Sequence, residues 1–171
     1  MDFHDRIAQD ENALQKLVKR IPGFDGYFEQ ENRRAADKLL RDNLVELLGE
    51  TGEAIEEIAG KWSRAAKLDL IDDLERVAGR LRRASDKLRF ADYGYTGFFD
   101  AVKIDEDDLQ RFYEYDLSLR EFIAAVNEQV EQLAAAADDQ AAAALEKLDE
   151  AVAALADMIQ ERERVAAELV P

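Results

Sequence analysis

Residues 109–169 decide the fold of this chain, and they read LQRFYEYDLSLREFIAAVNEQVEQLAAAADDQAAAALEKLDEAVAALADMIQERERVAAEL. Two ladders of mostly apolar residues run through this stretch, each with alternating steps of three and four residues. The first ladder contains Leu109, Phe112, Asp116, Leu119, Ile123, Val126, Val130 and Leu133, and the second contains Leu145, Leu148, Val152, Leu155, Ile159, Arg162, Ala166 and Leu169. This heptad spacing places every member on one face of an α-helix and is typical of coiled-coil packing.

The two ladders mirror each other about the turn expected at residues 138–139. If the chain folds back there, facing members have residue numbers that add to 278, so Leu133 meets Leu145. The same rule brings Asp116 opposite Arg162, and these are the charged members of the two ladders. We therefore predict a long antiparallel helical hairpin with a structural seam pair, Asp116 and Arg162, that fixes its register. The alternative role for Asp116 is a functional acid in a pocket beneath the loop that precedes the hairpin.

The rest of the chain fits the same architecture. We predict an all-α fold: an elongated antiparallel helical bundle built from two long helical hairpins, with a short N-terminal helix and an aromatic, glycine-containing loop at one end. Within this single domain we assign residues 1–22 to a short amphipathic N-terminal segment, 25–90 to the first hairpin, 91–104 to the aromatic loop and 105–170 to the second hairpin. Asp105 is the expected N-cap of the second hairpin, and the first hairpin is expected to fold back near Trp62.

Glycines interrupt the first helix of the first hairpin. Gly49 and Gly52 lie in its middle, and Gly60 lies towards its end. Each glycine costs about 1 kcal/mol relative to alanine inside a helix, so we expect a kink or a short break at one of these positions.

The composition excludes several classes of protein. The 171 residues include no cysteine and one histidine, so disulfides, thiolate zinc sites and Ser-His or Cys-His catalysis lack their residues. The formal net charge of −16 opposes binding to nucleic acids and to anionic membrane surfaces. The chain has neither a secretory leader pattern nor an apolar run of about 18 residues that could span a membrane. We expect an acidic cytoplasmic protein that carries no cofactor.

Aromatic residues concentrate at one end of the predicted bundle. If the long helices alternate in direction, eleven of the fourteen aromatic side chains gather where the first and third long helices begin and the second and fourth end. We call this end the aromatic pole. Rings exposed there would serve as anchors for a protein partner. The alternative is that the loop at residues 91–104 folds over the bundle end and closes it. The candidate partner-binding residues are Phe90, Tyr93, Tyr95, Phe98, Phe99 and Tyr113.

Two pairs of acids suggest an enzymatic alternative. Glu53 and Glu56 stand three residues apart on one helix, and Asp69 and Asp72 repeat this spacing on the next. The arrangement resembles the E-x-x-E and E-x-x-D motifs of the all-α nucleoside triphosphate pyrophosphohydrolases, although Asp69 stands where that family has Glu. The resemblance implies that the four carboxylates would bind Mg²⁺ for hydrolysis of a nucleoside triphosphate. Acids make up 39 of the 171 residues, so such pairs also arise by chance.

The residue types favour a non-catalytic helical-bundle interaction or scaffold protein that presents the aromatic pole to a protein partner. Self-association through the helices is a second form of this hypothesis, because apolar ladders can pair between chains as well as within one. A Mg²⁺-dependent enzyme similar to the all-α pyrophosphohydrolases is the alternative. The sequence identifies neither the partner nor a small-molecule ligand.

Overall fold

The computed structural model describes residues 13–24, 33–91 and 106–168, which contain helices and the turns that join them. The helices are α1 (Ala13–Arg20), α2 (Arg33–Arg64), α3 (Leu68–Arg89), α4 (Glu106–Ala135) and α5 (Ala141–Glu168). These ranges hold no β-strand, so the all-α prediction is confirmed. The predicted cap Asp105 and the predicted aromatic loop, apart from Ala91, lie outside the described residues.

The four long helices form a bundle of two antiparallel hairpins, as predicted. α2 packs along α3, and α4 packs along α5. The hairpins meet through α3 against α5 and through α2 against α4, so α2 and α5 lie on a diagonal of the bundle. α1 packs against α4. The aromatic pole is therefore the end at which α2 and α4 begin and α3 and α5 end.

Short turns close both hairpins at the opposite end, which we call the turn pole. The first hairpin reverses just after Trp62, where Ala66 adopts a φ of +56° and the Lys67 N–H donates to the Trp62 carbonyl at 3.0 Å. The second hairpin reverses over residues 136–140, where the sequence predicts the turn. The Lys67 ammonium contacts the Asp138 carboxylate, so the two turns are joined to each other.

The two ladders form the seam between α4 and α5. All fourteen ladder members whose side chains the structure describes are buried; Leu109 and Leu169 are not among them. Matching apolar stripes on α2 and α3 complete the core. Each buried Leu, Ile, Val or Phe contributes about 1.5–3 kcal/mol of transfer free energy, so this core is the main force that holds the helices together. The stripes consist of Leu40, Leu44, Leu48, Ile55 and Ile58 on α2, and Leu74, Val77, Leu81, Ala84 and Leu88 on α3.

A short break, one of the two outcomes expected at the glycines, does not occur. α2 runs as one helix from Arg33 to Arg64, through Gly49, Gly52 and Gly60. Leu48 and Ile55, on either side of the central glycines, are both buried in the same core. Packing of the apolar stripe along the whole helix therefore outweighs the intrinsic cost of the glycines.

α1 ends in a tight glycine turn. The Ile21 N–H donates to the Leu17 carbonyl at 2.9 Å, and the Phe24 N–H donates to the Ile21 carbonyl at 3.1 Å. Gly23 has a φ of +78°, which glycine adopts more readily than any residue with a Cβ. Leu17, Ile21 and Phe24 are buried, so α1 is held by its apolar face. The first twelve residues of the predicted N-terminal segment lie outside the described residues.

We expect Gly49→Ala and Gly52→Ala each to raise the free energy of unfolding by about 1 kcal/mol. A Cβ added at either position meets no atom within 4 Å. Urea denaturation in dilute solution measures the change. Gly23→Ala is the matched control, because its φ of +78° strains an alanine and should lower the same free energy by about 1–2 kcal/mol. A loss of stability in both α2 variants would contradict the conclusion that a Cβ fits at Gly49 and Gly52 without a clash.

Candidate functional site

A layer of buried charges crosses the bundle near the aromatic pole. It consists of Asp37 and Arg41 from α2, Asp116 from α4 and Arg162 from α5, and we call these four residues the charge layer. Asp37, Asp116 and Arg162 are at most 1% exposed. Charged side chains are almost never this deeply buried unless they are paired.

Asp116 and Arg162 face each other across α4 and α5, as the mirrored ladders predict. Arg162 Nε donates to Asp116 Oδ1 at 2.6 Å, and Arg162 Nη2 donates to Asp116 Oδ2 at 3.3 Å. This two-pronged geometry is the strongest that a guanidinium and a carboxylate adopt. The guanidinium carbon also lies 4.8 Å from the centroid of the Phe112 ring, in a cation–π contact.

The charge layer extends to α2 and α3 through Asp37, which the sequence analysis missed. Arg162 Nη2 donates to Asp37 Oδ1 at 3.0 Å, and Arg41 Nε donates to Asp37 Oδ2 at 2.7 Å. Arg41 Nη1 then donates to the Leu88 carbonyl at 3.1 Å, in the last turn of α3. Asp37 precedes Leu40 by three residues and so belongs to the apolar stripe of α2, which was the signal available in the sequence.

This chain of hydrogen bonds links all four long helices at one level. Among the described residues, every buried side-chain nitrogen and oxygen has a hydrogen-bond partner. Burying charges is costly, but once they are buried and paired, removal of a single partner is strongly destabilising. The layer therefore acts against any arrangement in which one helix slides along another, because each slide would separate these groups inside the core.

Rings surround the charge layer on the side of the aromatic pole. Phe24 and Tyr113 pack edge to face, with centroids 6.5 Å apart and ring planes at 88°. Phe24, Phe112 and Tyr113 are each at most 2% exposed, so these three rings belong to the core near this end of the bundle. Tyr113, a predicted partner-binding residue, therefore belongs to the core. Phe90, in contrast, is 73% exposed just after the end of α3. The other four candidates, Tyr93, Tyr95, Phe98 and Phe99, lie outside the described residues.

Tyr115 forms a further polar link between α4 and α5. Its hydroxyl donates to the Met158 carbonyl at 2.7 Å. Burial raises the pKa of Tyr115 above its ordinary value, and the nearby carboxylates of Glu161 and Asp116 raise it further. The guanidinium of Arg162 lowers this pKa in part.

The four acids of the enzymatic alternative are all described, and all four are exposed. Glu56 pairs with Arg82 of α3 at 3.4 Å. In the described ranges, no group of three or more His, Cys, Asp or Glu side chains is placed so that it could hold a metal ion. The structure therefore does not bring Glu53, Glu56, Asp69 and Asp72 together into one ligand set.

Comparisons of this chain with protein-family models, with curated proteins and with solved structures gave no significant match. None of the helices in the described part of the chain has the length and apolar character needed to cross a membrane. Function must therefore be argued from the chain's own surfaces and from the charge layer beneath them.

We expect Arg162→Met to lower the free energy of unfolding by about 3–5 kcal/mol, because it removes a guanidinium from buried carboxylates. The double variant Asp116→Asn/Arg162→Met should lose less than the two single variants together, since the seam then holds neither charge. Urea denaturation at neutral pH measures all three. The control is Arg164→Met, which removes an exposed pair with Glu161 at 2.6 Å and should change stability little. Equal losses at positions 162 and 164 would refute the structural importance of the charge layer.

We expect Tyr115→Phe to reduce the fall in stability at alkaline pH. The pKa of Tyr115 is raised from 10.0 in the folded chain, first by burial and then by Glu161 and Asp116. The protonated Tyr115 side chain therefore contributes its full stabilisation below the unfolded-state pKa, and this stabilisation is lost as the pH rises through the folded-state pKa. Urea denaturation at several pH values on both sides of about pH 10 measures this loss.

At neutral pH, Tyr115→Phe should lower the free energy of unfolding by about 1 kcal/mol, because it removes the hydrogen bond to the Met158 carbonyl. If the pH profiles of the variant and of the unaltered protein run parallel above about pH 10, the attribution to Tyr115 is incorrect.

Proposed function

We propose that this chain is a non-catalytic interaction protein of the cytoplasm, whose helical bundle presents its aromatic pole to a protein partner. The observation that carries the proposal is the exposure of Phe90. Large apolar side chains that are exposed among the described residues are Val18 at 42%, Leu68 at 65% and Phe90 at 73%, so Phe90 is the largest and the most exposed of them. An exposed ring of this kind is a typical anchor of protein interfaces.

The backbone at Phe90 is held by hydrogen bonds, which supports a role in recognition. Its N–H donates to the Asp86 carbonyl at 2.9 Å and continues the hydrogen bonding of α3 by one residue. Two residues earlier, the Leu88 carbonyl accepts from Arg41 of the charge layer at 3.1 Å. The end of α3 is thus fastened to the core. A backbone that is held in place before binding loses less conformational entropy when a partner covers the ring it carries.

The charge beside the ring suggests the chemistry of the partner. Lys87 and Arg89, in the last turn of α3, are both exposed. Asp86, one turn before Phe90, is exposed as well, so the described surface beside the ring has a small excess of bases on a chain whose net charge is −16. We infer that the partner offers an apolar pocket for the ring and carboxylates near its rim, because complementary charge speeds association and selects among partners.

A photo-cross-linking residue at position 90 tests this proposal in cells, with the same residue at Leu68 as the control. Leu68 is 65% exposed at the turn pole, so it matches Phe90 in exposure but not in location. We expect a specific protein to be trapped from position 90 and not from position 68.

The binding affinity of that partner, once purified, then decides the role of the ring. Phe90→Ala should weaken binding at least tenfold, which is about 1.4 kcal/mol. Leu68→Ala should leave binding unchanged. Both variants should keep the thermal stability of the unaltered protein, because neither side chain is part of the core. Unchanged affinity in Phe90→Ala would rule out the ring as the anchor.

A further inference from the structure

α1 lies on the outside of the bundle, antiparallel to α4. Among the described helices, α1 packs only against α4. The Phe24 ring, just after α1, lies edge to face on the Tyr113 ring, with centroids 6.5 Å apart. Earlier on the same segment, Arg20 Nη1 lies 3.3 Å from Glu121 Oε1. Leu117 stands between these two contacts, four residues from each, and we call Tyr113, Leu117 and Glu121 the α1 site.

The α1 site is apolar and buried, although it is not part of the seam between α4 and α5. Tyr113 and Leu117 belong to neither ladder, yet they are only 2% and 8% exposed. On the facing segment, Leu17, Ile21 and Phe24 are each at most 1% exposed. These residues are spaced by four and three, so they form one apolar face. The structure thus shows that this strip of α4 accepts an amphipathic helix.

The docking of α1 is weak compared with the packing of the long helices. Residues 13–24 bury three large side chains, and this gain is of the same order as the entropy lost by ordering twelve residues of backbone. A helix of eight residues has little stability of its own. The ion pair between Arg20 and Glu121 adds little, because the two side chains are 40% and 55% exposed. α1 can therefore leave its site while the long helices keep their core.

One charge also opposes the docking of α1. Arg120, beside the α1 site, donates through Nε to Asn43 Oδ1 of α2 at 3.4 Å, which is a long hydrogen bond to a neutral group. Burial lowers the pKa of Arg120, and the neighbouring guanidinium of Arg20 lowers it further, whereas Glu121 raises it. Like charges that approach each other away from water are unfavourable. Residues 13–24 contain three bases and no acid, so this segment offers Arg120 no carboxylate.

We propose that the α1 site is a second protein-binding site, that α1 is its displaceable occupant, and that its ligand is an amphipathic helix of a partner protein. This helix places apolar side chains on Tyr113 and Leu117 with the spacing found in α1, and a carboxylate near Arg120. The carboxylate takes the place of the unfavourable Arg20, so the partner helix binds more tightly than α1 does. The site lies on α4, diagonally across the bundle from α3, and does not depend on Phe90.

Hydrogen exchange followed by mass spectrometry on the full chain tests whether α1 leaves its site. The Ile21 N–H donates to the Leu17 carbonyl at 2.9 Å, so this segment is protected only while it stays folded. We expect the backbone amides of α1 to exchange at least tenfold faster than those of α2 and α4, because they open locally. Exchange as slow as that of the long helices would overturn the proposal.

A labelled peptide with the sequence of residues 13–24 tests the site with a ligand added in solution. In the full-length variant Leu17→Asp, an acid replaces a side chain that is 0% exposed, which releases α1. The peptide should bind this variant at least tenfold more tightly than the unaltered protein, because a tethered helix competes at a high effective concentration. Fluorescence anisotropy measures both dissociation constants. The matched control, Val18→Asp, changes a neighbour that is 42% exposed and should behave like the unaltered protein.

The stability of Leu17→Asp makes either outcome decisive. If this variant keeps the cooperative thermal unfolding of the long helices but does not bind the peptide, the strip of α4 is not a helix-binding site. If the variant fails to fold, α1 is an essential part of the bundle and is not displaceable. Adding Leu117→Ala to Leu17→Asp should weaken peptide binding at least tenfold. Unchanged binding would show that the peptide binds elsewhere.

Arg120→Gln tests the chemistry of the ligand. Combined with Leu17→Asp, it removes the like charge that faces Arg20 of the peptide, so the peptide should bind at least twofold more tightly. Arg111→Gln is the matched control, because it makes the same charge change at an exposed guanidinium of α4, 3.8 Å from Asp108. Equal affinities of the two variants would contradict a ligand that carries a carboxylate at this point.

Sedimentation equilibrium distinguishes a partner helix from α1 of a second copy. The unaltered protein should keep the 19.4 kDa mass of one chain over a hundredfold range of concentration. A dimer that Leu17→Asp abolishes would show that α1 exchanges between copies, and it would overturn the assignment of the site to a partner protein.

Discussion

The structure depends on one buried guanidinium. Arg162 of α5 binds Asp116 on α4, its hairpin partner, and Asp37 on α2. α2 lies diagonally across the bundle from α5, and the backbones of these two helices are not in contact. An apolar core tolerates small slides of one helix along another, because leucine side chains can exchange neighbours at low cost. A guanidinium that shares two carboxylates from two helices tolerates no such slide. The core thus supplies most of the stability, whereas the charge layer specifies one register among several that the core would accept.

The same layer also fixes the backbone at the end of α3, which lies at the aromatic pole. Arg41 pairs with Asp37 and donates to the Leu88 carbonyl, so the exposed ring of Phe90 stands two residues beyond a fixed point. On the opposite helices, the guanidinium of Arg162 lies against the ring of Phe112. In the proposed interaction, these contacts would hold the end of α3 that carries Phe90 before a partner binds, which would lower the entropy lost on binding.

The sequence predicts those features that repeat with the helical period and misses those that depend on which helices become neighbours. The mirrored ladders predict the second hairpin, its turn at residues 138–139 and the meeting of Asp116 with Arg162. Asp37 also lies on a periodic stripe, but no local pattern shows that it faces a helix more than a hundred residues away. The expected break in α2 was wrong because glycine propensity is a local term that packing along the whole helix outweighs. The buried position of Tyr113 likewise depends on its contact with Phe24, which belongs to another part of the chain.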